Sequence, residues 1–111
     1  MTIADIKTIL SSVQGFENAV AFRAFPEKQT PPLPFIVFAD TGVRAFHADN
    51  VNYYVCPTYT IELHERVRDP ATELLVEAKL TSNGLTFDRI INYDSAEKCW
   101  TVSYDIITKG E

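Results

Sequence analysis

The stretch from Val51 to Val67, VNYYVCPTYTIELHERV, constrains this chain more than any other. Alternate residues (Val51, Tyr53, Val55, Pro57, Tyr59, Ile61, Leu63, Glu65, Val67) form one series. Asn52, Tyr54, Cys56, Thr58, Thr60, Glu62, His64 and Arg66 form the other. Side chains alternate across a strand, so the run has one apolar face and one largely polar face. At about 3.3 Å per residue it reaches roughly 55 Å, whereas ordinary strands hold about 5–6 residues. A strand that long in a small protein projects beyond its own sheet. Pro57 lacks the amide hydrogen a central ladder needs, and so marks a break, a bulge or an outer edge.

The segments before it supply something for that strand to pair with. Thr2 and Asp5 resemble a capping box, and Ile3, Ile6, Ile9, Leu10 and Val13 follow at helical spacing. This predicts an amphipathic helix of about three turns, stopped near Gly15, that must lie on a sheet. Ala19–Phe25 reads as a first strand. Pro26–Pro34, with four prolines, reads as a stiff connector whose TPPLP end favours polyproline II. Phe35–Ala39, FIVFA, is apolar on both faces and suits a central strand covered on both sides. Asp40–Asn50 then reads as a hairpin-like connection, with Gly42 in a turn and Asp49–Asn50 as turn formers.

Beyond Val67, Asp69–Pro70 announces a second helix: Asp caps the free amides, and proline is tolerated at the first helical position. It is expected to run to Ser82 and stop at Asn83–Gly84. A helical wheel places Ala71, Leu74, Leu75 and Ala78 toward the core and Val76 and Leu80 outward, where a neighbouring subunit would use them. Leu85–Tyr93 and Lys98–Thr108 make a closing hairpin about Asp94–Glu97. Trp100, Val102, Tyr104 and Ile106 share its inner face. The expected order is α-β-β-β-α-β-β. That is an α+β fold over a single domain, residues 1–111, with a mostly antiparallel sheet of four or five strands and both helices on one face.

Totals narrow the function. A chain of 111 residues with 46% apolar residues buries about 65% of its unfolded surface, enough for a core without metal or disulfide staples. Ten basic against fifteen acidic residues leave a net charge of −5, and no Lys/Arg cluster appears. Gripping nucleic acid requires a basic stripe, so direct binding is disfavoured, while an acidic surface suits DNA that must pass without sticking. Cys56 and Cys99 read as unpaired packing residues. The N-terminus lacks a signal-peptide pattern and no apolar run approaches the ~20 residues of a membrane span, so folding in the cytoplasm is expected.

No P-loop, Rossmann glycine pattern, G-x-S-x-G or H-E-x-x-H occurs. His47 and Asp49 have ligand-like spacing but no third partner, so no metal site or cofactor is expected. His64, Glu65, Arg66 and Asp69 are the densest chemical set. His64 and Arg66 point away from Glu65, and the group reads as a solvated strand end, with its charges interleaved against edge aggregation. The chain reads as a non-enzyme; a catalytic reading would need a cleft bringing His64 near Cys99 or Asp69.

One combination of short motifs carries further: Pro34-Phe35-Ile36-Val37-Phe38, Phe46 with Ala48-Asp49-Asn50, Tyr59-x-Ile61-Glu62-Leu63, Asp69-Pro70, Gly84-Leu85-x-Phe87, and Val102-x-Tyr104-Asp105-Ile106. Spread over nearly the whole chain, it resembles the short tail-completion proteins of long-tailed bacteriophages and of prophages in Gram-positive bacteria, which are similar in fold to tail terminators. The resemblance implies a homo-oligomeric ring, commonly of six, that caps the last ring of the tail tube protein and offers a surface to the head connector. DNA would pass through it without specific binding. The implied location is the virion tail or neck, assembled in the bacterial host cytoplasm. A head–tail connector ring is the neighbouring alternative, and a small-molecule or peptide-binding module using the long strand's edge is another. A ring needs two different patches per subunit; the expected ones are Val76 with Leu80, and the hairpin carrying Phe46, His47, Asp49 and Asn50.

Overall fold

The first helix starts as the sequence proposes. Asp5 donates its amide hydrogen to the Thr2 hydroxyl at 3.2 Å, and Thr2 donates its own to the Asp5 carboxylate at 2.8 Å. A computed structural model describes residues 2–25, 30–48 and 51–108, with the side chains of 44–48 and 51–55 left aside. Helix α1 is Ile3–Ser11, and its buried stripe is Ile6 and Leu10, continued past the helix by Val13 and Phe16. It ends before Gly15, which takes φ +93° in the turn that follows.

Strand β1 is Val20–Phe22, shorter than the alternation predicted, and runs parallel to β2. Strand β2 is Phe35–Ala48 and β3 is Val51–Glu65. Helix α2 is Pro70–Ser82, β4 is Phe87–Asp94 and β5 is Cys99–Ile107. The sheet order is β1-β2-β3-β5-β4, with every pair antiparallel except β1–β2. The fold is α+β, with the predicted element order.

Register explains the core. Ile36 faces Leu63, Phe38 faces Ile61, and Leu63, Ile61 and Tyr59 face Val102, Tyr104 and Ile106 in turn. Antiparallel partners share a face, so these side chains line one side of the sheet. They form a single cluster with Ile6 and Leu10 of α1 and Val76 and Leu80 of α2. Both helices therefore cover the same face. On the other face Phe35 packs edge-on against Phe25 at 5.4 Å, while Ile90 and Ile107 lie exposed.

Two expectations are corrected. Asp40–Ala48, read as a connection, is strand: it continues β2 as the partner that the long β3 requires. A bulge absorbs the turn signal, since Asp40 faces Tyr59 and Gly42 faces Thr58, leaving Thr41 unmatched. Gly42 sits there at φ +134°, a backbone conformation that a side chain resists. The second correction concerns α2. Val76 and Leu80 are fully buried, whereas Leu74 and Leu75 are 65% and 45% exposed and Ala71 and Ala78 are exposed as well. The buried face also carries Glu73. A wheel read from hydropathy turns a glutamate outward; here two arginines neutralise it, and the helix rolls accordingly.

Candidate functional site

Three features depart from an ordinary core and surface: a projecting ribbon, a groove on the open face of the sheet, and a buried charge cluster beneath α2.

The ribbon follows from strand lengths. β5 pairs with β3 only from Glu65 to Thr58, and β1 pairs with β2 only from Ile36 to Phe38. Val51–Pro57 of β3 therefore has β2 as its single partner strand among the described residues. Pro57 sits where β3 leaves β5. Its carbonyl accepts the Thr108 amide hydrogen at 2.8 Å. Amide and carbonyl of one strand residue point to the same edge, so the donor that proline lacks would have faced the end of β5. Seven residues at about 3.3 Å each extend the ribbon roughly 20 Å beyond the sheet, and the molecule measures 49 Å along its longest axis.

The groove, about 390 Å³, is lined by Leu33, Phe35, His64, Arg66, Cys99 and Thr101, with Asp94 and Glu97 at its end. His64 lies opposite Thr101, Nδ1 to Oγ1 at 3.3 Å, and its ring stacks at a tilt on Phe35 at 5.0 Å. So the fold does bring His64 and Cys99 to one cleft, the approach a catalytic reading needs. Asp69 is elsewhere, capping α2. The electrostatics oppose activation. Burial pulls the His64 imidazole below its usual range, outweighing Glu62 and Asp94, while burial and the nearby Asp94 and Glu97 carboxylates push the Cys99 thiol up. A nucleophilic thiolate paired with an imidazolium requires the opposite shifts. The groove therefore carries His64 and Cys99 in one lining, each shifted toward its neutral form by burial.

The charge cluster lies on the core side. Glu73, 2% exposed, receives two hydrogen bonds from Arg68, Nε and Nη2 each at 2.8 Å. Arg89 of β4 reaches Glu73 at 3.7 Å and Glu77 at 3.1 Å, and Tyr104 donates its hydroxyl to Glu77 at 2.9 Å. Arg68 also lies over the Trp100 ring at 6.0 Å. Glu65, 2% exposed, accepts the Asp69 amide hydrogen at 3.3 Å, while its Oε1 has no donor. Arg68 holds the Glu73 carboxyl below its ordinary range, and burial raises that of Glu65. Glu65 is therefore no solvated strand end, contrary to the sequence reading. Its neighbour His64 does point the other way, as the alternation requires.

The predicted interface residues divide. Phe46 and His47 fall on the ribbon part of β2, opposite Tyr54 and Asn52, and Asp49 and Asn50 lie outside the described residues. Val76 and Leu80 are core, and the outward apolar pair on α2 is Leu74 and Leu75. The charge cluster was missed, yet the sequence held its signal. Glu65 interrupts the apolar series of the long strand, and Arg89 falls between Phe87 and Ile91 on the inward face of β4. A charge at a core-facing position must meet an opposite charge.

Among the described residues no group of three or more His, Cys, Asp or Glu is placed to hold a metal ion. No described helix is long and apolar enough to cross a membrane. Compared with known protein families and with curated proteins, the chain's sequence matches none.

Proposed function

We propose that this chain is a structural protein of the phage tail-terminator class, which assembles as a ring on the end of the tail tube and joins it to the head connector. The observation that carries the reading is the β2–β3 ribbon, which leaves the sheet at Pro57. A two-stranded ribbon is marginal alone in water, so one this long calls for a partner surface. The motif resemblance names the partner as another copy of the chain and the tube beneath it.

A heterologous ring needs a second patch on each subunit, and exposed Leu74 and Leu75 on α2 supply it in place of the buried Val76 and Leu80. The net charge of −5 suits a channel wall past which DNA slides. Incubating the purified protein with growing tail tubes tests the reading. Tubes that stop growing with extra density at one end support it; tubes that elongate as before overturn it. Leu74→Glu with Leu75→Glu should abolish capping while leaving the far-ultraviolet circular dichroism unchanged.

A further inference from the structure

The two edges of the sheet differ. β1 closes one of them with three residues, two of them buried. β4 closes the other with eight, Phe87–Asp94, and pairs only with β5 among the described residues. Six of those eight residues are exposed, so the outer row of amide and carbonyl groups is open to solvent. Natural edges are defended by lysine, proline, a bulge or a charge pointing inward. The strand FDRIINYD holds neither lysine nor proline, and its register against β5 is unbroken. Its inward charge, Arg89, is already held within the subunit by Glu77 at 3.1 Å and Glu73 at 3.7 Å. Ile90, 53% exposed, and Tyr93, 51% exposed, add apolar surface on the two faces of the strand.

We propose that β4 pairs antiparallel with β4 of a second copy of the chain, joining two five-stranded sheets into one. Symmetry and charge select the register. A two-fold axis normal to the sheet keeps each side chain on its own face, so opposed residues must be an even number apart. Two registers then match seven residues of the strand. One sets Asp88 opposite Asp94 of the second copy, at two places. Asp88 already has Asp105 beside it on β5, and like charges directly opposite are destabilising. The other register centres the axis on Ile90. Ile90 then meets its own counterpart, Asp88 meets Asn92, Arg89 meets Ile91 and Phe87 meets Tyr93. No like charges are opposed, Asp88 gains an amide donor, and the two exposed isoleucines cover each other. That charge match of the strand with itself is what favours a second copy over an unrelated strand. The contact closes on itself, and so lies beyond the heterologous ring contacts proposed above.

Cross-linking tests the axis. Directly opposed Cβ atoms in an antiparallel pair lie about 4.5–5.5 Å apart, close enough for a disulfide with slight adjustment. Cys56 and Cys99 are buried. Under oxidised glutathione the full chain carrying Ile90→Cys should become a disulfide-linked dimer on a non-reducing gel. Asp88→Cys, which faces Asn92 of the second copy, should run as a single chain. Light scattering should show the mass of the unaltered protein double as concentration rises. Ile90→Lys, which sets two ammonium groups face to face, should halve that mass with the far-ultraviolet circular dichroism unchanged. A mass that Ile90→Lys leaves as it was overturns the pairing. So does Asp88→Cys cross-linking as fully as Ile90→Cys, since the contact then lies elsewhere. Should Ile90→Lys fail to fold, the comparison of the two cysteine variants decides by itself.

Discussion

The carbonyl oxygen of Pro57 accepts two hydrogen bonds from Thr108, one from the amide at 2.8 Å and one from the hydroxyl at 3.0 Å. Thr108 is buried, and this double contact closes the corner where β3 parts from β5 and the ribbon begins. Thr108→Val keeps the shape and the backbone bond but removes the hydroxyl. The expected loss is about 1 kcal/mol, read from the urea midpoint.

The roll of α2 gives a contrast between adjacent side chains. Leu80→Ala should cost about 2–5 kcal/mol, the range for emptying a filled core position. Leu74→Ala should stay within about 0.5 kcal/mol, because its side chain is already in water. A larger cost at Leu74 than at Leu80 in denaturant unfolding would show that the helix is turned the other way.

Removing one partner of a buried ion pair strands the other. Arg68→Ala leaves the buried Glu73 carboxylate with only the longer contact to Arg89, and a lower melting temperature is expected. Arg68→Lys should recover only part of the loss, since an ammonium group cannot reproduce the two-pronged geometry. Thermal melts of the two variants at one pH make the comparison.

Stability should depend on pH through two opposing limbs. The Glu73 carboxyl lies below its ordinary 4.5, chiefly through Arg68, so its contribution is present above that value and fades as the solution is acidified through the lowered folded value. Glu65 is the reverse case. Raised to about 7, it contributes fully below 4.5 and loses that contribution as pH climbs toward 7, because the folded state then holds a proton that the unfolded state has released. Melting temperature should therefore fall between pH 5 and 7, and Glu65→Gln should flatten that limb while leaving the acid limb in place.

Both cysteines are free and 7% exposed. Neither Cys56 nor Cys99 should react with a thiol reagent on mixing, and both should react once the chain is unfolded in urea. Burial and nearby carboxylates raise the Cys99 thiol, so it should remain slow at pH 8, where an exposed cysteine reacts readily. Rapid labelling of Cys99 in the native protein would mean that its groove opens.

The sequence by itself determined the elements whose signals are local. The Thr2–Asp5 box and the Asp69–Pro70 start depend on neighbours within a few residues, and both caps form as read. The alternation of Tyr59, Ile61 and Leu63 depends only on the two-residue repeat of a strand, and all three are buried. What only the tertiary structure decided were matters of partnership. Asp40–Ala48 became strand because a long strand needs a mate, although its own residues spell a turn. α2 buried Val76 and Leu80 on the same face as Glu73 because Arg68 and Arg89, distant in sequence or set in a loop, arrive to neutralise it. Hydropathy assigns each side chain a preference in isolation, whereas the free energy of burying a charge is set by the opposite charge beside it, and that neighbour exists only once the chain has folded.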